Sequence, residues 1–464
     1  MTLNSLLSPL SLSLHSLAVA VGLLLYMLTS RSLRQRRAPT AAISWVLTIA
    51  LVPYVGLPLY LLFGTRKLRH AETRVAARTL TGTTGEPDWL CQLTAAMGQP
   101  PAVTYRNLHV HADGAEALQA LWDVIGGAKR ELVLCTFLIG RDAMGRALVT
   151  RLIEKARAGV SIRLMIDGVG RVMGGGLNLR KLKAAGVTVA LYGPILHMPF
   201  RSSVNLRNHR KMVIADAARL WCGGRNFAAE YFEGARRRAP WRDLTFDLEG
   251  PVAAQAHELF EQDWAFAIKT PAPPLEEFAP IQHTAKQTFA QVIASGPDQT
   301  YDTVHDLLVT ACFKARHRIV AVTPYFVPGD MLQTALMLAA RRGVAVDLIL
   351  PRRSNHKLAD FARHRALRDL AAAGGCVWLV AYMVHAKCVV IDEDLALSGS
   401  ANLDARSLFL NYELMVAFYA ATDVRHFAAY VDKHRESADR YAVRKPSLLR
   451  DLMEGLVLWL AFQL

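Results

Sequence analysis

Two stretches of this sequence match each other position by position: NHRKMVIADAARLWCGGRN at residues 208–226 and VHAKCVVIDEDLALSGSAN at residues 384–402. Each has a histidine, then a lysine, an aspartate and an asparagine at identical spacing. These positions are His209, Lys211, Asp216 and Asn226 in the first copy and His385, Lys387, Asp392 and Asn402 in the second. The apolar run after each lysine predicts a strand. Alternation along a strand places the histidine and the lysine on one face, so an imidazole and an ammonium point into one pocket.

The surrounding chain also repeats. Glu131–Ile139 reads as a buried strand and opens a β-α-β-α-β order that returns from Arg318–Phe326 onward. This order predicts an α/β fold, with a largely parallel sheet covered by helices and two halves related by a pseudo-two-fold axis. We place the halves at residues 106–270 and 271–445, with a connector at 66–105 and a proline-rich linker between Lys269 and Thr284.

The paired motif suits chemistry on a phosphodiester. One histidine can attack phosphorus and form a covalent intermediate, and the other can protonate the leaving alkoxide and then deprotonate the incoming alcohol. Two lysines and two asparagine amides supply donors for the phosphate oxygens. A single His-x-Lys would carry little information, because such a histidine is usually structural. The six cysteines form no CxxC pair, so we expect no metal, no cofactor and no disulfide framework.

The duplicated pattern resembles the signature of the phospholipase D superfamily, whose members place the active site between two α/β halves. Other segments resemble bacterial cardiolipin synthases that carry an N-terminal membrane hairpin: Trp241–Asp243 (WRD), Pro324–Pro328 (PYFVP), Ser398–Glu413 and Pro53–Leu68. This resemblance implies that two phosphatidylglycerol molecules give cardiolipin and glycerol. The sequence departs from the pattern at Gly224, where the second copy has a serine, and after WRD, where Leu-Thr stands instead of Thr-His.

The resemblance and the chemistry assign roles to the motif residues. We expect His209 to attack the donor phosphorus and His385 to act as acid and base, although the roles are interchangeable. The phosphate would be held by Lys211, Lys387, Asn226, Asn402 and Ser400. Asp243 and Glu413 would orient the histidines, as the acid does in a Ser-His-Asp triad. Asp216 and Asp392 complete the catalytic motifs; their place at strand ends favours bracing of the turn over proton transfer.

The N-terminal segment predicts a membrane hairpin at residues 1–65. Ser11–Ser30 and Ala41–Phe63 carry no charged residue, and each is long enough to cross a hydrocarbon core. A cleavable signal peptide would have its basic residues before the apolar run. A buried soluble helix pair would not need two such uncharged stretches. We therefore expect a multi-pass protein of the bacterial cell membrane. The loop has four arginines, and the segment after the second apolar run has five basic residues. These similar counts do not decide on which side of the membrane the soluble part lies.

The net charge of +15 favours anionic partners, either nucleic acid or acidic lipids. The hairpin favours phosphatidylglycerol and membrane lipids over nucleic acid. The basic clusters Arg207–Lys211 and Arg236–Arg238 would be solvated faces or would attract headgroups. Residues 446–464 are apolar enough to lie on the membrane surface or to pack on the domain. The oligomeric state stays open.

Two other functions compete with phosphatidyl transfer. One is hydrolysis by a phospholipase D or a nuclease, which depends on whether the site admits water. The other is a membrane-bound anion sensor without activity, which two intact motifs disfavour. The hairpin disfavours a nuclease, because a lipid substrate explains membrane attachment.

Overall fold

The computed structural model describes residues 9–32, 39–64, 66–67, 88–176, 178–193, 205–234, 239–274 and 288–460. The chain forms two compact units: Met1–Thr73 with Ile195–Leu206, and Arg74–Pro194 with Arg207–Leu464. Several predicted segments lie wholly or mostly outside the described residues: the arginine-rich loop at 33–38, the cluster Arg236–Arg238, and large parts of the connector and linker.

The smaller unit contains three apolar helices, α1 (Pro9–Ser32), α2 (Pro39–Leu51) and α3 (Pro53–Phe63). Only one described helix, over Ser13–Ser30, is long and apolar enough to cross a membrane by length and composition. The second predicted span is divided at Val52, because Pro53 lacks an amide hydrogen and restricts the residue before it. Within this unit α1 meets the other helices, with the hydroxyls of Thr29 and Tyr60 2.5 Å apart.

The larger unit is built on one sheet of fifteen described strands, in the order β17-β12-β11-β9-β13-β14-β16-β8-β1-β7-β6-β5-β2-β3-β4. The strands are β1 (Val103–Val110), β2 (Glu131–Thr136), β3 (Ser161–Asp167), β4 (Thr188–Tyr192), β5 (Met212–Ala215), β6 (Arg219–Gly223), β7 (Thr245–Glu249), β8 (Thr288–Ser295), β9 (Arg318–Val322), β11 (Ala345–Pro351), β12 (Cys376–Val380), β13 (Cys388–Ile391), β14 (Leu395–Gly399), β16 (Glu413–Phe418) and β17 (Asp439–Arg440). A second small sheet pairs β10 (Phe326–Val327) with β15 (Leu403–Asp404).

The sheet is mixed, so the prediction of a largely parallel sheet is wrong. Only β2-β3-β4 and β9-β11-β12 run parallel in it. These are the strands joined through helical crossovers, which parallel pairing requires. The motif strands β5 and β13 instead turn directly into β6 and β14, and such short turns produce antiparallel pairs. The antiparallel pair β1 and β8 joins the two halves into one sheet.

Helices cover this sheet and bury two apolar cores, one in each half. Residues such as Leu134, Ile166 and Val213 build the first core, and Ile319, Leu348 and Val389 build the second. The helices are α4 (Asp88–Ala96), α5 (Gly114–Gly127), α6 (Ala143–Arg157), α7 (Gly168–Met173), α8 (Leu179–Ala184), α9 (Pro251–Ile268), α10 (Thr303–Lys314), α11 (Asp330–Arg341), α12 (Lys357–Ala372), α13 (Ala405–Phe409), α14 (Ala421–Glu436) and α15 (Leu448–Leu460).

Candidate active site

The segments that precede the two motif strands cross from one half to the other. Asn208 forms an isolated parallel bridge with Tyr412, and the amide of His209 donates to the Tyr412 carbonyl at 2.9 Å. In the other half Val384 bridges to Arg242, and the amide of His385 donates to the Arg242 carbonyl at 2.6 Å. Each motif histidine is therefore fixed by backbone contacts to the half that does not contain it.

The same crossing brings each histidine to a carboxylate of the opposite half. Nδ1 of His209 lies 3.1 Å from Oε1 of Glu413, and Nδ1 of His385 lies 2.6 Å from Oδ2 of Asp243. A carboxylate only accepts hydrogen bonds, so each neutral ring carries its proton on Nδ1. The lone pair then sits on Nε2, which is the nitrogen available to attack phosphorus or to take a proton.

Each lysine lies two residues after its histidine, immediately before the motif strand, and contacts that histidine. Lys211 and Lys387 are almost fully buried. Nζ of Lys211 donates to the His209 carbonyl at 2.5 Å. Nζ of Lys387 donates to the His385 carbonyl and lies 2.7 Å from Nδ1 and 3.1 Å from Nε2 of the same ring. Two buried ammonium groups therefore face two buried carboxylates, so the four charges of the site balance one another.

Burial sets the protonation states of this site. Desolvation lowers the pKa of His385 to about 3, with Lys387 contributing, and desolvation also lowers the pKa of His209. Burial lowers the pKa of Lys211 to about 8 and that of Lys387 to about 7. The neighbouring histidine and lysine hold the pKa of each carboxylate, Asp243 and Glu413, below its ordinary value despite burial. Both histidines are thus neutral before an anion binds, and a bound phosphate raises the lysine and histidine pKa values.

The aromatic surroundings of the two histidines differ. Around His385 the ring centroids of Tyr231, Trp241 and Tyr325 lie at 5.2, 5.5 and 6.5 Å. The described ring neighbour of His209 is Phe137, at 5.4 Å. Sequence reasoning missed Phe137 and Tyr231, which stand outside the duplicated stretches. The half-buried Tyr325 packs on the apolar cluster of Val327, Ala359 and Ala362 and also reaches the site.

The two asparagines keep a buried polar atom that a ligand could satisfy. Nδ2 of Asn226 donates to the Tyr231 hydroxyl at 2.8 Å, which connects this amide to the ring beside His385. Oδ1 of Asn226 and Oδ1 of Asn402 are buried without a hydrogen-bond partner among the described residues. Buried polar atoms are normally paired, so unpaired acceptor oxygens at corresponding places in both halves fit a site that is completed by a hydroxyl donor of the substrate.

Ser400 does not have the geometry expected of a phosphate ligand. Its hydroxyl donates to Glu413 and accepts from the amide of Leu414 at 2.9 Å. A hydroxyl has one proton, so Ser400 positions the Glu413 carboxylate. The equivalent residue in the first half is Gly224, where an added Cβ would lie 2.2 Å from Oδ1 of Asp243. The departure at this position therefore makes room for the carboxylate.

The motif aspartates lie away from the reacting groups, at the opposite ends of the motif strands. The Asp216 carboxylate accepts from the amides of residues 129, 130 and 131 at 2.7 to 2.9 Å. The Asp392 carboxylate accepts from the amides of residues 316, 317 and 318 at 2.7 to 2.8 Å. Both aspartates belong to the motif, but their carboxylates hold the neighbouring loop. The geometry therefore supports a structural role for them and not a catalytic one.

The two arginines of the basic cluster at residues 207–211 are buried and paired, so they do not form a solvated face. Arg207 lies 3.5 Å from the Asp167 carboxylate, and the fully buried Arg210 pairs with Asp263. Arg210 also donates to the carbonyl of Glu413 at 3.0 Å. These arginines consequently hold the segment that carries His209 and the strand that begins at Glu413.

Two groups of described residues place potential metal ligands together. They are His109, His111 and Asp247, and Glu131, His257 and Glu261. Neither contains a motif residue. In the second group Arg163 already contacts both glutamates, so a cation occupies that position.

A duplicated pair of histidines and lysines, each histidine held by a carboxylate from the other α/β half, defines an enzyme centre of the phospholipase D type. The family model described as "Cardiolipin synthase, PLD-like domain" matches residues 121–264 and 308–435, and the model described as "Phospholipase_D-nuclease N-terminal" matches residues 18–64. The chain belongs to the cardiolipin synthase family of phospholipase D-like phosphatidyltransferases, which confirms the resemblance noted in the sequence.

Named relatives agree with this membership. The chain is 32% identical over 404 residues to "Cardiolipin synthase A" of Pseudomonas syringae pv. syringae, covering 82% of this chain and 83% of the relative. It is 28% identical over 415 residues to "Cardiolipin synthase" of a Geobacillus species, covering 85% and 82%. Among solved structures, phosphatidylserine synthase of Haemophilus influenzae matches with a TM-score of 0.63 at 13% identity, covering 81% of this chain and 100% of that one. This last likeness concerns the fold alone.

Proposed function

We propose that this protein makes cardiolipin by transferring a phosphatidyl group from one phosphatidylglycerol molecule to another through a phosphohistidine. The observation that carries the proposal is the crossed arrangement of His209 with Glu413 and His385 with Asp243. This arrangement leaves Nε2 of both imidazoles available for reaction. Two buried lysine side chains lie beside them and can donate to the oxygens of a phosphodiester.

In the first step Nε2 of His209 attacks the donor phosphorus. A phosphorus–nitrogen bond forms and the bond from phosphorus to the glycerol headgroup oxygen breaks. The anionic substrate raises the pKa of His385, and the proton that His385 then holds passes to the leaving oxygen. Glycerol leaves as a neutral alcohol, and Glu413 stabilises the positive charge on the His209 ring.

In the second step neutral His385 takes the proton from a glycerol hydroxyl of the acceptor phosphatidylglycerol. The resulting oxygen attacks the phosphorus, the phosphorus–nitrogen bond breaks, and His209 is restored. Lys211, Lys387, Asn226 and Asn402 hold the phosphate oxygens in both steps, where charge develops in the transition state.

Access and contacts favour His209 as the nucleophile. Its side chain is 16% exposed, whereas that of His385 is 5% exposed and lies among three aromatic rings. Nζ of Lys387 also lies close to both ring nitrogens of His385. A ring in this position is better suited to exchange a proton than to form a bond to phosphorus.

The family and the apolar α1 associate the protein with a membrane. We propose that it is a two-pass protein of the bacterial cell membrane. The packing of α1 against α2 and α3 supports this arrangement. Together α2 and α3 cover the residues of the second predicted span.

The test is product analysis after incubating purified, detergent-solubilised protein with phosphatidylglycerol alone. We expect cardiolipin and free glycerol in equal amounts, and neither with His209→Ala or His385→Ala. Phosphatidic acid as the product would mean that water is the acceptor, and the protein would then be a phospholipase D-type hydrolase. Equal product from the wild type and the histidine variants would rule out the two-histidine mechanism.

A further inference from the structure

The C-terminal helix α15 has one side fixed to the domain. The Glu454 carboxylate is fully buried and accepts from Arg368 on α12 at 2.6 Å and from Arg450 at 2.9 Å. One turn further, Val457 packs against the apolar cluster that includes Ala359 and Ala362 of α12. These contacts fix the rotation of α15 about its own axis.

With that rotation, the helix exposes a row of large apolar side chains. Leu448, Leu449, Leu452 and Met453 are 78%, 73%, 64% and 45% exposed. Their spacing of one, four and five positions from Leu448 puts them on one side of the helix. A contiguous apolar surface of this kind marks an interaction site more often than a solvated face.

The covered side of α15 leads directly to the active site. Tyr325 packs on the same apolar cluster as Val457, and the Tyr325 ring lies 6.5 Å from the ring of His385. Leu358, in the first turn of α12, is a further large apolar side chain at this end of the helix and is 52% exposed. The Val457 end of α15 therefore lies on the His385 side of the site.

Exposed cations border this surface, and the exposed Asp451 of α15 lies 3.6 Å from Arg368. Arg353 and Lys357 flank the start of α12, Arg444 and Lys445 precede α15, and all four are exposed. Apolar side chains bordered by cations match the interface of a bilayer that carries acidic headgroups, because the chains enter the acyl boundary while the cations remain at the headgroups.

The first half has a corresponding surface beside His209. Helix α7 follows β3 as α12 follows β11, and its last residues, Val172 and Met173, are 61% and 67% exposed. Exposed cations on α8 accompany them: Arg180, Lys181 and Lys183. Gly170 of α7 lies against Phe137, whose ring contacts His209. Each histidine thus has an apolar and basic surface one helix away.

We propose that α15 is an interfacial membrane helix whose apolar face lies in an acidic bilayer and holds the active-site entrance at the lipid surface. This proposal rests on the proposed function in that the substrate is a bilayer phospholipid. A phosphatidylglycerol headgroup could then reach the histidines while its acyl chains stay in the membrane. The bilayer contact is additional to the one made by α1.

Photolabelling tests the contact independently of activity. Full-length protein in phosphatidylglycerol nanodiscs would be irradiated with a phosphatidylglycerol that carries a diazirine in its acyl chain, and the labelled peptides would be identified by mass spectrometry. We expect the peptide containing Leu452 and Met453 to be labelled at least fivefold more than the one containing Phe313, which is 50% exposed on α10. Equal labelling of the two peptides, as expected if α15 is covered by a second copy of the chain instead of lipid, would overturn the proposal.

Kinetics test the consequence for catalysis. The double variant Leu452→Glu/Met453→Glu keeps the Arg368–Glu454 contact, and Phe313→Glu is the matched control. On vesicles of long-chain phosphatidylglycerol we expect the double variant to lose at least tenfold in apparent kcat/KM and the control to lose none. On a short-chain phosphatidylglycerol below its micelle concentration both should equal the wild type. An equal loss on both substrates would mean that α15 supports the fold instead of the membrane contact. If the wild type makes no cardiolipin but α15 is labelled, the proposed function fails and this inference stands.

Discussion

The two halves of the active site carry the same histidine and lysine in different surroundings. His385 is 5% exposed, lies among three aromatic rings and has a pKa of about 3. His209 is 16% exposed, contacts Phe137, and lacks a lysine positioned against Nε2 in the described contacts. The duplication supplied two equivalent histidines. Because their neighbours have diverged, the two histidines now differ in exposure and in proton affinity. Such separation lets one group act as a nucleophile and the other as an acid and base.

The carboxylates that hold these rings differ in the same way. Glu413 is the longer side chain, and Ser400 donates a hydrogen bond to it. Asp243 is the shorter side chain, and its carboxylate occupies the space that a Cβ atom on residue 224 would need. The two pairs, Glu with Ser and Asp with Gly, are alternative ways to place a carboxylate beside Nδ1, and exchanging one member alone should disturb the histidine.

The largest expected effect on activity comes from replacing the two histidines. His209→Ala removes the nucleophile, and we expect a loss of at least about 10⁴-fold. His385→Ala should lose about 10²–10⁴-fold, the usual range for acid–base catalysis. A phosphatidyl ester of p-nitrophenol would separate them, because nitrophenolate leaves without a proton. We expect a nitrophenolate burst with His385→Ala and none with His209→Ala; the reverse result would exchange the two roles.

The next effect concerns the carboxylates. An amide can donate to Nδ1 and so favour the proton on Nε2, as in triads whose acid is replaced. We therefore expect Glu413→Gln and Asp243→Asn to lose about 10²–10⁴-fold with phosphatidylglycerol. Only Asp243→Asn should keep the nitrophenolate burst. Glu249→Gln, on the exposed pair with Arg106, is the matched control and should retain full activity. Full activity in Glu413→Gln would contradict the orienting role.

A smaller loss should follow from the hydroxyl that supports Glu413. Ser400→Ala removes one hydrogen bond to a charged group, a contribution of roughly 1.5 kcal/mol, so kcat should fall about tenfold with the Tm nearly unchanged. Gly224→Ser should be more harmful, because its Cβ would collide with Asp243. Steady-state kinetics with thermal unfolding would measure both. An unchanged kcat for Ser400→Ala would instead leave its hydroxyl available to the phosphate.

The smallest effect is the pH dependence, which reports on the lysines. Because the pKa of Lys387 is about 7 and that of Lys211 about 8, the free site loses its positive charges as pH rises through this range. We expect kcat/KM to fall about fivefold between pH 7 and 8 from Lys387 alone. The bound phosphate raises both lysine pKa values, so kcat should fall only at higher pH. A kcat/KM that stays level up to pH 9.5 would show that these charges do not govern binding.

Much of the fold and site could be predicted from the sequence because the chemistry is local. The spacing from His209 to Asn226 is repeated from His385 to Asn402, and a strand with period two places His and Lys together. The mixed sheet could not be predicted, since strand direction depends on which strands become neighbours. The break at Val52 was signalled by Pro53 but depends on how the neighbouring helices pack.

The sequence by itself determined the family, the duplicated α/β halves, the two histidine–lysine pairs and the apolar N-terminal helix, because each is carried by residues close together in the chain. Only the tertiary structure decided that Glu413 serves His209 and Asp243 serves His385, since these partners are brought together by bridges between the halves. It also decided that Ser400 supports a carboxylate, that Asp216 and Asp392 tie loops, and which face of α15 is exposed. Contacts between distant segments depend on packing, and spacing along the chain does not specify them.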